Sequence, residues 1–324
     1  MSESLEHRGR LPMRAEVEAA REGWRDVDER GTVAGIRALI VTATALGRPF
    51  ARFITRFVAA YYTLASPTAR RSVATFRRHL GERPSLAATY RTIRHFADCS
   101  LDALFFMRGR TELFDVDRNG TEHLREHKEK RDGAILLGAH FGSFYAMRAF
   151  SSQESFPLHP LVYTKNARRF NAVIESLDPS STTRLIEIGE GGQIDFMLHV
   201  RERLEEGALV AVLGDRPQPG GKNVEVDFLG GRALLPAGPY ILAASLRRPV
   251  YFVAGVYLGG NRYKLRCLPF AEQIVLPRRR RQEAIAEYAQ KYADLLAQFA
   301  REHPDNWFNF FDFFQGDAPD GDRP

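Results

Sequence analysis

The sequence predicts an α/β protein: a layered α/β/α domain with a largely parallel sheet, preceded by an N-terminal helical region. Three observations predict it. Residues 134–137 (AILL) and 208–213 (ALVAVL) are short runs without a polar side chain, as in strands buried on both faces of a sheet. From residue 134 onward strand-like and helix-like segments alternate, the pattern of a parallel sheet with crossover helices. Before that point, over residues 32–110, apolar residues recur mainly at helical steps.

Taken in order, residues 1–31 carry no apolar segment of signal-peptide type and are expected to be mobile, with the lone Trp24 docked on the body of the protein. Residues 32–110 form the helical, membrane-associated region. In 32–64, Ile36, Ile40, Ala43, Phe50, Ile54, Phe57 and Tyr61 fall on one side of a helical wheel, and Arg37, Arg48, Arg52 and Arg56 on the other. Its longest uncharged run, 38–47, is about half of the roughly 20 residues a spanning helix needs. Two readings follow. The helix lies in the headgroup layer, apolar side down, with guanidinium groups on lipid phosphates, or it packs on the core with a solvated arginine face. Length and aromatic content favour the first. Pro49 should kink it. Ser66 and Pro67 cap a second helix, 81–85 interrupts the pattern, and 86–107 carries a core-facing stripe.

The α/β domain is expected over 111–315, with a disordered tail at 316–324. It contains a short strand at 114–116, a helix at 121–130 and the buried strand 134–137. A helix from about Ser143 to 152, a strand at 158–163, a helix at 169–177, a strand at 183–188 and a helix at 194–204 follow. The second buried strand 208–213, a helix at 237–245, strands at 250–257 and 263–268, and a long helix at 282–302 complete it.

The chemistry concentrates where the two buried strands end. His140 arrives two residues after Gly138, where open α/β sheets keep reacting groups, and imidazole can take a proton from a hydroxyl near neutral pH. Gly142 and Ser143 leave room for a substrate to approach. Asp215 stands at the end of the second strand, so the two groups meet in one cleft if their strands are neighbours. A carboxylate beside an imidazole orients the ring and stabilises its cation. The competing roles are a structural histidine and, for Asp215, a salt bridge to Arg216 or a turn residue ahead of Pro217.

Composition narrows the partners. The 46 Lys and Arg against 40 Asp and Glu give a net charge of +6, which suits anionic phospholipid, nucleic acid or an acidic carrier protein. Nucleic acid fits poorly, because the arginines line an apolar helix instead of alternating with stacking aromatics. Two cysteines, Cys99 and Cys267, make neither a disulfide framework nor a zinc site, so a reducing compartment and no metal are expected.

GAILLGAHFGSFY, VLGDR, VEVDFLGGRALLPAGPYILAASLRRPV and HPDNWF, in this order, resemble the bacterial lipid A biosynthesis acyltransferases, the lauroyl and myristoyl transferases related to lysophospholipid acyltransferases. The resemblance spans roughly residues 36–314. It implies transfer of a fatty acyl group from an acyl-carrier-protein or coenzyme A thioester to a hydroxyl of a lipid or glycolipid. The expected place is the cytoplasmic face of the inner membrane, with His140 as general base and no cofactor. The run NWFNFFDFF further resembles relatives associated with aryl polyene lipids.

One position departs from the family. An acid is expected five residues after the histidine, and Tyr145 stands there, uncharged at neutral pH. Three readings remain: Asp215 replaces the acid, His140 acts alone, or catalysis has been lost and lipid or carrier binding kept. The first is preferred because Asp215 lies in a matching block. The resemblance also implies polar residues facing the acceptor at Lys165, Asn166, Arg168 and Arg169, though a solvated loop fits equally. Arg216 and Lys222 are candidates for the donor's phosphate or the acceptor headgroup, and Tyr145 for the substrate pocket. The glycines and prolines of 227–239 either aim amides at an anion or form a tight connection. Arg278 to Arg281 is a solvated cluster or a contact with anionic lipid or carrier protein.

Overall fold

A computed structural model describes residues 33–130, 132–153, 156–162, 185–188, 193–217 and 221–315. The expected helix at 169–177, the segment 1–31 with Trp24, the tail, and Lys165, Asn166, Arg168 and Arg169 lie outside the described residues.

Three helices come first: α1 (Val33–Ala65), α2 (Pro67–His79) and α3 (Leu86–Met107). The starts of α2 and α3 have local causes. Ser66 Oγ accepts from the Ala69 amide at 3.3 Å with Pro67 in the first turn, and Ser85 Oγ accepts from Ala88 at 3.1 Å. The kink in α1 falls at Gly47, whose φ of 78° only glycine adopts cheaply, two residues before Pro49.

The sheet follows. Strands β1 (Asp115–Asn119), β2 (Ala134–Gly138), β3 (Leu158–Val162), β4 (Ile186–Glu187), β5 (Leu209–Leu213), β8 (Val250–Gly259) and β9 (Arg262–Ala271) form one seven-stranded sheet in the order β1-β9-β8-β2-β5-β3-β4. Every neighbouring pair is parallel except the β8–β9 hairpin. All five β2 residues are buried, as their apolar run requires. Ile135 and Leu137 face a layer with α7 (Gly238–Leu246) and α8 (Arg281–Glu302). Ala134 and Leu136 face Leu124 of α4 (Thr121–Lys130) and Phe144 and Met147 of α5 (Phe144–Gln153). Helix α6 (Gln193–Glu205) also packs in the first layer through Val200 and Leu204.

The stretch 227–239 runs from the end of one strand through a turn and a second strand to the start of α7. It belongs to a hairpin of β6 (Asn223–Phe228) and β7 (Gly231–Pro236), which β10 (Phe314–Gln315) extends into a second, three-stranded antiparallel sheet. Leu229 and Gly230 turn it at positive φ.

The first helix reverses part of its expected orientation. Arg48 and Arg52 neither reach outward toward phosphates nor lie solvated; they turn into the protein. Arg48 Nε and Nη2 hold Asp102 at 2.6 and 2.8 Å, and Arg52 Nη2 reaches Asp98 at 3.0 Å. Thr55 and the hydroxyls of Tyr257 and Tyr263 complete the two carboxylates. Two buried acids on α3 require cations, and the arginine face of α1 supplies them. The opposite stripe therefore points out: Phe50, Phe53, Phe57 (61% exposed), Tyr61 (64%) and Leu64 (70%).

Candidate active site

Parallel pairing places the two sequence candidates side by side. Gly138 of β2 is the partner of Leu213 of β5, and His140 and Asp215 stand two residues beyond each. His140 Nδ1 lies 2.9 Å from Asp215 Oδ1, and the His140 backbone amide donates to Oδ2 at 3.0 Å. The carboxylate is fully buried while the imidazole is 30% exposed. Burial works against the Asp215 charge, but the His140 ring, its amide and the Arg216 charge outweigh it and hold the carboxyl at about 2. An ionised carboxylate only accepts, so Nδ1 carries the proton of neutral His140 and the Nε2 lone pair is left for another partner. Burial, then Arg216, lower the His140 pKa from 6.5, against the pull of Asp215, which favours the neutral ring at pH 7.

The backbone around the pair is fixed by close approach. Gly142 has φ of 64°, and a Cβ there would stand 2.0 Å from the Gly255 carbonyl oxygen. Its bareness is filled by β8 itself, and Gly142 and Ser143 donate to Asn306 and Gly255 at 3.0 and 2.6 Å. Ser143 is buried, its Oγ accepting from Ala146 at 3.1 Å as the N-terminal cap of α5. Tyr145 is half-buried among the aromatic residues around Phe106 and Phe308, and burial pushes its phenol up to about 12. Lys222 is exposed just before β6, its carbonyl accepting from Ala237. Beneath α5 lies an apolar cavity of about 70 Å³ lined by Leu136, Phe144, Met147, Phe150 and Val253.

Arg216 makes no ion pair with Asp215. Its Nε donates to Asn309 Oδ1 at 3.1 Å and its Nη2 to the Phe308 carbonyl at 3.3 Å. Asn309 Nδ2 in turn donates to Asp215 Oδ2 at 3.0 Å, and Phe308 N–H donates to the His140 carbonyl. The segment after α8 thus closes the site from behind. So many aromatic side chains in one run are best satisfied inside the protein, and Trp307, Phe308, Phe311, Phe313 and Phe314 are buried. Asn306 and Asn309, also buried, are not among the site residues that sequence reasoning found. The signal was present: amides inside so apolar a run must find partners or destabilise it.

Among the described residues no group of three or more His, Cys, Asp or Glu is placed to hold a metal ion. A search of curated proteins gives no match. Residues 101–315 match the family model described as bacterial lipid A biosynthesis acyltransferase, a span that begins within α3 and takes in the whole sheet and both halves of the His140–Asp215 pair. The chain belongs to the bacterial lipid A biosynthesis acyltransferase family.

Proposed function

We propose that the chain transfers an acyl group from a thioester of acyl-carrier protein or coenzyme A to a hydroxyl of a membrane lipid or glycolipid, with His140 as general base and Asp215 in place of the acid missing at Tyr145. Family membership supports acyl transfer to a lipid. The observation that carries the rest is the 2.9 Å contact between Nδ1 and a buried, ionised carboxylate.

The steps follow from that contact. The acceptor hydroxyl gives its proton to His140 Nε2 as its oxygen attacks the thioester carbonyl. Asp215 stabilises the imidazolium that forms. Collapse of the tetrahedral intermediate breaks the carbon–sulfur bond, and the imidazolium returns the proton to the thiolate. Arg216 supplies a cation beside the ring for a phosphate or for negative charge on the carbonyl oxygen, a role shared in this reading with Lys222. Lys165, Asn166, Arg168 and Arg169 are proposed for the acceptor. The glycines and Ser143 shape the backbone beneath it.

Among the described residues no helix is long and apolar enough to cross a membrane. The outward stripe of α1 supports peripheral attachment at an anionic phospholipid membrane, proposed as the cytoplasmic face of the inner membrane. Aryl polyene chains stay within the proposal as one donor class.

Radiolabelled acyl-carrier protein incubated with hydroxyl-bearing membrane lipids tests the reading. Labelled lipid is expected from the native protein and none from His140→Ala. Label retained on native protein without any lipid product points instead to a binding protein that has kept the fold and lost turnover.

A further inference from the structure

Asp215 and Arg216 are adjacent in sequence and opposite in charge, yet they are not paired. Asn309 stands between them. Its amide nitrogen donates to Asp215 Oδ2 at 3.0 Å and its oxygen accepts from Arg216 Nε at 3.1 Å. Its own position is fixed from outside, because Ser72 Oγ on α2 lies 2.7 Å from the Asn309 carbonyl oxygen and 2.8 Å from that of Phe311 and shares its one proton between them. Asn309 is 1% exposed, so both ends of its amide have to be satisfied by protein, and they are.

We propose that Asn309 is a positioning residue for the transfer reaction: it orients the Asp215 carboxylate onto His140 Nδ1 and keeps the Arg216 guanidinium from pairing with that carboxylate directly. The inference rests on the reading of His140 as base. A carboxylate gripped by a guanidinium has less negative potential to offer an imidazole 2.9 Å away. An amide can donate to the carboxylate without bringing a positive charge, and can occupy the guanidinium with its other end. Among the described residues, the ionisable groups that act on His140 are Arg216 and Asp215. From α8, Tyr292 donates to the Gly138 carbonyl at 2.8 Å and feels the charge of Asp215.

Two variants should move the ring in opposite directions. In Asn309→Leu the guanidinium is released and pairs with Asp215, so the His140 pKa falls and the acid limb of kcat/KM moves about one pH unit down. In Asn309→Asp a second carboxylate adds negative charge beside the ring, and the limb moves up by a similar amount. Both should lose about 10- to 100-fold in kcat/KM, the range for a hydrogen bond to a charged group. A role in packing alone lowers the yield of folded protein and leaves the limb where it was.

The ring pKa is read by NMR of histidine-labelled protein without substrate, so it does not depend on turnover. In the native protein the Asn309 side-chain amide protons should be protected from exchange and should shift as His140 titrates. Amide protons that exchange at once and ignore the titration overturn the inference, as does an unmoved ring pKa in either folded variant. Acyl transfer that survives His140→Ala overturns the reading of the base instead, and the two failures are distinguishable.

Discussion

Two of the buried carboxylate pairs among the described residues, Asp102 with Arg48 and Asp215 with His140, differ in what they can do with a proton. Asp102 and Asp215 are both 0% exposed, and each meets a nitrogen brought from a distant segment, Arg48 at 2.6 Å and His140 at 2.9 Å. Burial works against the Arg48 charge, yet its two-pronged contact with Asp102 raises its pKa above an already high value. Burial and Arg216 lower His140 below 6.5. Arg48 can never release its proton at physiological pH, whereas His140 sits where gain and loss are both within reach. The same physics of burying an acid produces a clasp in one place and a candidate base in the other.

The comparison is broken most directly by removing each acid. Asp215→Asn should keep the fold and reduce kcat/KM about 100- to 10,000-fold, the scale found when the acid orienting a catalytic histidine is neutralised. The remaining activity should show its acid limb at lower pH, because Asp215 raises the ring pKa and its loss lets burial and Arg216 act unopposed. Unchanged transfer in this variant, with His140→Ala inactive, would show that His140 works alone. Asp102→Ala is the converse. It strands Arg48 in a buried site and should cost about 3–5 kcal/mol in denaturant unfolding, with turnover per folded molecule preserved.

A smaller effect separates the pairs under acid. Asp215 is held near 2 from an ordinary value of 3.8, so its stabilising contribution is complete above pH 4 and is lost as pH falls through about 2. The size is about 2 kcal/mol from the shift. Urea unfolding of the native protein and Asp215→Asn across that window should show two curves converging as pH falls; a constant gap would mean that the carboxyl is not depressed in the folded state.

The two pairs also differ in how readable they were in the sequence. His140 and Asp215 were legible because each follows a strand too apolar to be anything but central, and parallel strands deliver their carboxyl ends to one edge. The order of the sheet was not legible: nothing local says that β5 inserts between β2 and β3. The helical period of α1 was legible too, with its arginines and aromatics on opposite sides. Its orientation was not, because Asp98 and Asp102 lie inside a helical stripe and a wheel cannot show which face of another helix needs cations. Asn309 escaped for the same reason, its partners lying 93 and 94 residues away.

The inward turn of Arg48 and Arg52 leads to the smallest prediction. Since those guanidinium groups are engaged by carboxylates, the contact of α1 with a bilayer should depend on its outward rings more than on charge. Phe53 and Phe57, edge to face at 5.1 Å and half or more exposed, are the centre of that stripe. Replacing both by serine removes little that the folded protein buries, so the thermal midpoint should hold. Retention on phosphatidylglycerol-containing liposomes should weaken about 10-fold, as expected when each ring forgoes part of its transfer free energy of about 1.5–3 kcal/mol. Raising salt should weaken native binding less than this substitution does. Binding abolished by salt and indifferent to the serines would put the exposed arginines, Arg56 and Arg278 to Arg281 among them, in charge of the membrane contact.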